Sequence, residues 1–345
     1  MTLRHSVLFL VGSSTTAEMQ ELSELYARGA MEALGPHHDL GVLHHAPDGS
    51  WRHGRTLGAA KAGRPLTLAQ AVAAVSEARY DVALPQMFCP FGMTAGRALL
   101  ELMDLPFVGN TPDAMALTVD KAKARAVAAA AGLNVPEGCV ASRGCVPEDL
   151  PAFPVIVKPV AGDNSEGLSL VEHPDALFAA LARVDGEALI ERFIPPGREL
   201  RCGVIERNGA LLCLPPEEYP VGGERPIRTK SDKLARTDTG ALMLAAKTQE
   251  AAWIVEPDDP ATPALHEAAL QAYRALGCRH YGLFDFRVDD AGTPWFLEAG
   301  LYCSFSPQSV VAVMAEAAGI PLPALFAELA RAATGHDLSP TRTAA

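Results

Sequence analysis

Two acidic residues near the C-terminus, Asp285 and Glu298, lie in neighbouring predicted strands. Apolar alternation predicts these strands over 281–288 and 294–299. If the connecting loop has an even number of residues, Asp285 lies opposite Glu298, which shares its face with Phe296. Facing carboxylates repel, and Mg²⁺ is held by one or two carboxylates together with nucleotide phosphates. The pair predicts a Mg²⁺ site; the alternatives are a solvated strand face and, with an odd loop, acids out of register.

A second candidate is the loop KPVAGDNSEG (158–167), which follows an apolar strand. Its small residues would let backbone amides surround a phosphate, while Lys158 supplies a positive charge. The loop matches neither the Walker A nor the GxGxxG pattern, so an ordinary turn is the alternative. Lys121, in a helix predicted over 118–131, could reach the same anion or be a solvated surface lysine.

The segment LIERFI (189–194) ends an apolar strand whose exposed backbone could pair with an adenine edge. Glu199 follows Glu191 by eight residues and could bind ribose hydroxyls or be an ordinary surface acid. The Pro-, Gly- and charge-rich stretch 215–245 predicts a long loop, which is typical of an active-site cover or of disorder.

Histidine and cysteine provide weaker signals. The pairs at 37–38 and 44–45 lack the accompanying Cys or acid spacing of a metal site. Cys89 and Cys303 could be reactive, but small buried hydrophobes are the favoured interpretation. Seven cysteines without a CxxC pair do not form a disulfide framework, which predicts a reduced, cytoplasmic protein.

Composition excludes several classes of protein. The chain has 345 residues, 49% hydrophobic and 20% charged, which predicts a globular protein of two or three domains. A net charge of −12 argues against a nucleic-acid partner, although lysines focused in one cleft could still bind an anion. No apolar run approaches the ~20 residues that span a bilayer, so no membrane partner is expected.

The N-terminal part predicts an α/β domain. A strand over 6–11, a polar loop and a helix over 18–34 are followed near residue 81 by a similar strand, loop and helix. Strands that alternate with helices indicate a parallel sheet with crossover helices. This domain is predicted to span residues 1–111.

Taken together, these segments resemble the ATP-grasp ligases of the D-alanine–D-alanine ligase branch. The segments that carry the resemblance are DKAKA (120–124), VIVKP (155–159), LIERFI followed by GRE (189–199), and LFDFRVD…PWFLEAG…PQS (283–309). The resemblance implies an ATP-grasp fold of three α/β domains, 1–111, 112–190 and 191–336, with ATP between the last two. It also implies Mg²⁺ as cofactor, small-molecule substrates and a homodimer.

The resemblance implies a role for each matching residue. The implied roles are phosphate binding by Lys121 and Lys158; adenine binding by Glu191 and by the backbone of Arg192 and Ile194; ribose binding by Glu199; Mg²⁺ binding by Asp285 and Glu298; catalysis by Lys158, Asn164, Ser165 and Lys233; and substrate binding by Glu18 and Ser309. Glu18 is only an approximate counterpart of the family's glutamate. Either Lys230 or Lys247 could replace Lys233.

Several positions depart from the branch. Gly300 stands where Asn is usual, Asn164 where a catalytic serine is usual, and Leu283 where an arginine is usual, while 91–96 replace the GEDG loop. These departures favour a relative with another acceptor over an authentic D-alanine–D-alanine ligase.

Longer stretches are similar to the ligases of mycosporine-like amino acid biosynthesis. They are LPQMFCPFGMT (84–94), DNS (163–165), PIRTKSDKL (226–234), GCRHYGLFDFRVD (277–289) and EAGLYCSFSPQSV (298–310). This similarity implies ATP-dependent joining of Ser, Thr or Ala to the ring carbonyl of mycosporine-glycine, which gives an imine. A peptide-forming ligase for D-alanine or another carboxylate, and a non-catalytic nucleotide-binding module, are the alternatives.

Overall fold

The chain forms two compact units. The computed structural model describes residues 4–142, 145–162, 167–195, 197–222, 225–228, 234–236, 242–244 and 251–335. The first unit contains the described parts of Met1–Pro112, Glu206–Leu212 and Tyr302–Ala345, and the second contains those of Asp113–Ile205 and Cys213–Leu301. The division into three domains stays a prediction, because these two units are defined only by how densely their residues contact one another.

Strands and helices alternate in the first unit, and strands predominate in the second. In chain order the described strands are β1 (Ser6–Gly12), β2 (Asp39–His45), β3 (Trp51–Gly54), β4 (Val82–Pro85), β5 (Gly138–Ala141), β6 (Val155–Pro159), β7 (Ser169–Val171), β8 (Ala188–Arg192), β9 (Arg198–Arg207), β10 (Ala210–Cys213), β11 (Glu217–Tyr219), β12 (Leu234–Arg236), β13 (Leu242–Leu244), β14 (Trp253–Ile254), β15 (Tyr281–Val288) and β16 (Pro294–Gly300). The described α-helices are α1 (Ala17–Leu34), α2 (Leu57–Ala62), α3 (Leu68–Ala78), α4 (Pro90–Met93), α5 (Ala95–Leu102), α6 (Pro112–Val119), α7 (Lys121–Ala130), α8 (Leu177–Leu181), α9 (Thr262–Ala275), α10 (Val310–Ala317) and α11 (Leu322–Ala333).

The first unit is built on a four-stranded sheet in the order β3-β2-β1-β4. Strand β1 runs parallel to β2 and β4, and its residues from Val7 to Val11 are fully buried. A strand covered on both faces needs a continuous apolar run, which explains the sequence VLFLV. Helix α1 follows a cap at Thr16, whose hydroxyl accepts a hydrogen bond from the amide of Met19 (3.1 Å). The predicted strand, loop and helix are confirmed.

The second unit contains two antiparallel sheets of four or more strands. The smaller has the order β5-β8-β6-β7, and the larger has β14-β11-β9-β15-β16, with β10 paired to β9. The stretch 215–245, predicted as a loop, includes β11, which is part of the larger sheet, and the paired strands β12 and β13. Short strands without a clear apolar alternation cannot be predicted from sequence periodicity, because contacts with neighbouring strands determine their pairing.

A helix predicted over 118–131 is divided into α6 and α7. Asp120 separates them, and its side chain accepts a hydrogen bond from the amide of Lys123 (3.0 Å). An aspartate in this position caps the following helix instead of continuing the preceding one. Lys121 is therefore the first residue of a helix and not an interior residue of the predicted one.

The β15–β16 hairpin contains an irregularity that the sequence pattern did not show. Its loop has an odd length, since Val288 pairs with Pro294. The register then shifts beside Asp285, so that Phe286 faces Phe296 while Asp285 faces Glu298. Leu297 is the extra residue of a β-bulge. The prediction that the two acids face each other is confirmed, whereas the prediction that Phe296 and Glu298 share a face is wrong, because the bulge reverses the alternation.

Within the described ranges, no single helix is long and apolar enough to cross a membrane. The bent pair α10 and α11, with 107° between its helices, passes that test only when the two are taken together.

Candidate active site

The second unit contains a cleft lined by residues of both its sheets and of helix α7. Five cationic and four acidic side chains line it, so positive charge is concentrated here in a chain of net charge −12. The charged lining residues are Lys121, Lys158, Arg192, Arg228, Arg287, Glu191, Glu199, Asp285 and Glu298. All eight predicted nucleotide and metal residues line this cleft: Lys121, Lys158, Glu191, Arg192, Ile194, Glu199, Asp285 and Glu298.

Lys158 and Glu191 form a buried ion pair at one side of the cleft. Lys158 lies near the end of β6 and Glu191 lies in the adjacent β8, with 2.6 Å between Nζ and Oε2. Arg125 of α7 adds a second cation, with Nε 3.5 Å from the Glu191 carboxylate. The Lys158 ammonium also lies 3.4 Å from the carbonyl of Leu297, the bulged residue. The pair therefore connects the smaller sheet to the β15–β16 hairpin.

Lys121 is held at the N-terminus of α7. Its amide donates to the carbonyl of Val160 (2.9 Å), its ammonium donates to the carbonyl of Gly162, and Nζ lies 3.9 Å from Glu298. A lysine beside helix-terminal amides suits an anionic ligand. Lys121 and Lys158 thus present two ammonium groups to one cleft.

Two arginines of the cleft have donor atoms that lack partners in the described part of the chain. Arg192 lies over the ring of Trp295, 5.3 Å from its centroid, and its Nε is buried without a hydrogen bond. Arg287 Nη1 is likewise buried and unpaired. Buried donors without acceptors are costly, so these atoms fit an oxygen-rich ligand.

Glu199 is fixed by two arginines. Arg287 Nη2 lies 2.9 Å from its carboxylate, and Arg228 Nη1 lies 3.8 Å away. The Arg228 guanidinium also stacks on Tyr219, 3.4 Å from the ring centroid. Burial is the main factor that raises the pKa of Tyr219, so its phenol stays protonated. Glu199 is thus a positioned acceptor and not an ordinary surface acid.

Four charged residues form a row across adjacent strands of the larger sheet. Glu217, Arg201, Asp285 and Glu298 are successive register partners on β11, β9, β15 and β16. Arg201 Nε and Nη2 lie 2.6 and 2.7 Å from the two oxygens of Asp285. Burial alone would lower the pKa of Arg201, but Asp285 beside it raises that pKa well above its ordinary value.

The charges along this row indicate whether the site suits a divalent cation. Its charges alternate from Glu217 to Asp285, and only the last neighbours, Asp285 and Glu298, are of like sign. Two carboxylates side by side at a cleft are oxygen donors of the kind that Mg²⁺ takes. The residues present therefore fit the ion.

Gly300 has room for a larger residue. A Cβ added there would meet only the carbonyl oxygen of Leu283, at 3.9 Å. Packing therefore does not require glycine where the resemblance implies asparagine.

The remaining predicted site residues do not belong to the described part of the second unit. Asn164, Ser165, Lys230, Lys233 and Lys247 lie outside the described residues. Glu18 and Ser309 lie in the first unit.

In the first unit, Glu18 lies exposed in the first turn of α1. Ser309 precedes α10, with Oγ 3.7 Å from Cys303 Sγ. Burial raises the pKa of Cys303 to about 11, which leaves an unreactive thiol near neutral pH. Cys89 is also buried. The preference for small buried hydrophobes is confirmed for both cysteines.

Sequence reasoning missed Arg201 and Arg125. Arg201 follows Glu199 by two residues on β9, so alternation places both on the same face. That spacing was visible, but only the register shows that Arg201 meets Asp285. Arg125 follows Lys121 by four residues on α7, a spacing that places both on the same helix face.

Comparison with known proteins agrees with this geometry. Residues 145–331 match the family model described as the D-ala D-ala ligase C-terminus. The D-alanine–D-alanine ligase of Mycolicibacterium smegmatis is 32% identical over 262 residues, which cover 73% of this chain and 68% of that protein.

Solved structures show the same fold. A D-alanine–D-alanine ligase from Coxiella burnetii has a TM-score of 0.74 at 22% identity, covering 97% of this chain and 95% of that one. The VanG D-Ala:D-Ser ligase from Enterococcus faecalis has a TM-score of 0.69 at 19% identity, covering 95% and 98%. The chain therefore belongs to the D-alanine–D-alanine ligase family of ATP-grasp, ADP-forming ligases.

Proposed function

We propose that this protein is an ATP-dependent ligase that joins the carboxylate of D-alanine, or of a similar small acid, to the amine of a second amino acid. The observation that carries the proposal is the cleft that combines two lysines with a pair of adjacent carboxylates. The likeness to D-alanine–D-alanine ligases over most of the chain supports it.

The reaction requires charge neutralisation more than covalent catalysis. Phosphoryl transfer to an oxygen of the first substrate makes that oxygen a good leaving group; the amine then displaces phosphate, a C–N bond replaces the C–O bond, and the amine loses a proton. Lys121 and Lys158 hold the phosphates, and the paired Glu191 keeps the Lys158 ammonium in place. Positioning and electrostatic stabilisation account for most catalysis in reactions of this kind.

Asp285 and Glu298 would hold Mg²⁺, which offsets negative charge on the phosphates. Arg201 holds Asp285 in position from the neighbouring strand. Glu199, fixed by Arg287, binds the ribose in this proposal, while Glu191 and the backbone of Arg192 and Ile194 bind the adenine.

The remaining predicted roles belong to the same proposal. Asn164, Ser165 and Lys233 act in catalysis, and Glu18 and Ser309 bind substrate. A cytoplasmic location and a homodimer complete it.

The second substrate is the least constrained part of the proposal. The departures at Gly300, Asn164 and Leu283 favour an acceptor other than D-alanine. Mycosporine-glycine, expected from the longer sequence similarities, has no support among the relatives compared and stays a prediction. The same fold serves a D-Ala:D-Ser ligase, so a change of acceptor does not require a change of fold.

The experiment is a scan of ADP release with Mg-ATP. D-alanine is tested alone, then with other amino acids, and mycosporine-glycine is tested with Ser, Thr and Ala. Turnover with D-alanine, and a dipeptide found by mass spectrometry, would support the proposal. Turnover that requires mycosporine-glycine would replace it with imine formation, and ATP binding without turnover under any condition would indicate a nucleotide-binding module.

A further inference from the structure

Three potential metal-ligating side chains meet in the second unit, outside the set of residues that line the cleft. They are Cys202 on β9, Cys213 at the end of β10 and His266 in the first turns of α9. One ligand atom from each lies within 4.8 Å of the other two. Two thiolates in a tetrahedral zinc site lie roughly 3.8 Å apart, at Zn–S distances of about 2.3 Å. Small side-chain rotations would bring the three onto one ion.

The cluster contains a buried polar atom that the described residues leave unsatisfied. His266 Nε2 is buried and has no hydrogen-bond partner in the described part of the protein. Cys202 is fully buried, and apart from the thiol of Cys213 its Sγ has only weak contacts with carbonyl oxygens, at 3.7 and 4.0 Å. Two thiols and an imidazole nitrogen without a hydrogen-bond partner therefore lie together, and such a group of side chains can coordinate a metal ion.

Hairpin geometry disfavours a disulfide between the two cysteines. The amide of Leu214 donates to the carbonyl of Gly203 (2.8 Å), which makes these two residues register partners. Cys202 and Cys213 are therefore diagonal neighbours, whose Cα atoms lie about 7–8 Å apart in an antiparallel pair. Disulfides need about 4.4–6.8 Å. At this typical spacing a disulfide would require backbone movement, whereas the two sulfur atoms already lie within 4.8 Å of each other and suit one shared ion.

The local charges also suit a soft divalent cation. A hydrogen bond from Cys202 and the charge of Arg274 lower the pKa of Cys213, whereas the same hydrogen bond and burial raise the pKa of Cys202, so the Cys202 thiol would lose its proton only on binding the ion. Burial lowers the pKa of His266, so its neutral form, which has a lone pair for a metal, predominates at neutral pH. Two thiolates and a neutral imidazole would cancel the charge of a divalent ion, which favours binding at a buried site.

We propose that Cys202, Cys213 and His266 form a binding site for Zn²⁺. The ion would join β9, β10 and α9. Because Cys202 follows Arg201 directly on β9, the two side chains point to opposite faces of the sheet. The site would thus stabilise β9, the strand whose Arg201 positions Asp285, from the opposite face of the sheet. It does not depend on the proposed ligase activity. Cys213 and His266 are partly exposed and give the ion a route of entry.

The test uses Co²⁺ as a spectroscopic probe for the reduced, metal-free full chain. Thiolate coordination gives an intense sulfur-to-cobalt charge-transfer band in the near ultraviolet. We expect this band with one metal ion per chain, its displacement by Zn²⁺, and a rise in the thermal unfolding midpoint with Zn²⁺.

The variants Cys213→Ser and His266→Asn test the ligands, and Cys145→Ser, an exposed thiol outside the cluster, is the matched control. We expect Co²⁺ affinity to fall by more than about 10-fold in both ligand variants and to be unchanged in the control, since even changes around a ligand shell cost about that much. Circular dichroism checks that each variant folds. The proposal is wrong if wild type gives no band, if both ligand variants keep it, or if mass spectrometry finds a Cys202–Cys213 disulfide and the reduced protein binds no metal.

Discussion

The two units both bury carboxylates among cations, but they do so in different ways. In the first unit, Glu24 of α1 is contacted by His44 (3.0 Å), Lys61 (2.6 Å) and Gln20 (2.8 Å), with Arg28 at 3.9 Å. These contacts engage both of its oxygens. Four polar groups thus converge on one carboxylate.

In the second unit, the acids are not gathered in one cluster. Glu191, Glu199, Asp285 and Glu298 come from β8, β9, β15 and β16, and all line one cleft. Asp285 and Glu298 are neighbours of like charge. Paired charges alone therefore do not identify a functional site. Arg201 holds Asp285 and Lys121 lies 3.9 Å from Glu298, yet these two carboxylates stay adjacent at a cleft and so suit a cation. The cations around Glu24 instead converge on a single carboxylate.

The largest expected effect is on the like-charged pair. Glu298→Ala and Asp285→Asn should each lower kcat/KM for ATP by more than about 100-fold, because even groups that only support metal ligands contribute 10- to 100-fold. Asp290→Asn, in the exposed turn of the same hairpin, is the matched control. Steady-state ADP release measures activity, and circular dichroism checks the fold. Wild-type turnover in Glu298→Ala would overturn the metal assignment.

The Lys158–Glu191 pair should affect both stability and function. Lys158→Met leaves Glu191 buried with only Arg125 at 3.5 Å, so we expect about 3 kcal/mol less stability together with loss of turnover. The double variant Lys158→Met, Glu191→Leu should recover most of the stability and none of the activity. Urea unfolding is the measurement. Lys123→Met, at an exposed lysine of α7, should leave both stability and activity unchanged.

Gly300 allows a gain of function to be tested. Gly300→Asn introduces the amide oxygen that the family usually has, at a position with open space. We expect the Mg²⁺ concentration for half-maximal turnover to fall by up to about 10-fold, the lower end of what a supporting group contributes. Gly58→Asn in α2, also at an open position without a positive φ, is the control. A higher Mg²⁺ concentration for half-maximal turnover in Gly300→Asn would contradict this expectation and would mean that the open space serves another ligand.

The smallest effect should be seen at Glu24 and should depend on pH. Burial raises its pKa, but hydrogen bonds from His44, Lys61 and Gln20 outweigh burial and lower the pKa to about 2. A lowered carboxyl pKa stabilises the fold above pH of about 4.5, and that contribution is lost as the pH falls towards 2. Glu24→Gln should cost on the order of 1 kcal/mol at pH 7 and progressively less below about pH 4.5. Urea unfolding at several pH values measures this, and a pH-independent difference would contradict it.

Much of the cleft could be predicted from the sequence. Lys121, Lys158, Glu191 and Glu199 belong to motifs whose residue types match nucleotide chemistry. The adjacency of Asp285 and Glu298 was predicted from alternation and an even loop, yet it arises from an odd loop corrected by a bulge. The conclusion was right although its geometric premise was not, because a bulge leaves no simple mark in an apolar pattern.

Other features depend on contacts between distant segments. Arg201 meets Asp285 across 84 residues, and Cys202 meets His266 through the packing of α9 against the larger sheet. No local pattern contains such pairings, because sheet register and helix packing are decided by the whole unit. The histidine pairs that drew attention in the sequence include His44, which contacts Glu24.

The most direct test of the central claim follows an oxygen atom. In the proposed reaction, ATP phosphorylates an oxygen of the first substrate before the amine displaces phosphate. With both carboxylate oxygens of the accepted first substrate replaced by a heavy isotope, the inorganic phosphate released should carry one heavy oxygen for each product molecule, as measured by mass spectrometry. Phosphate without the label, formed together with product, would contradict the account.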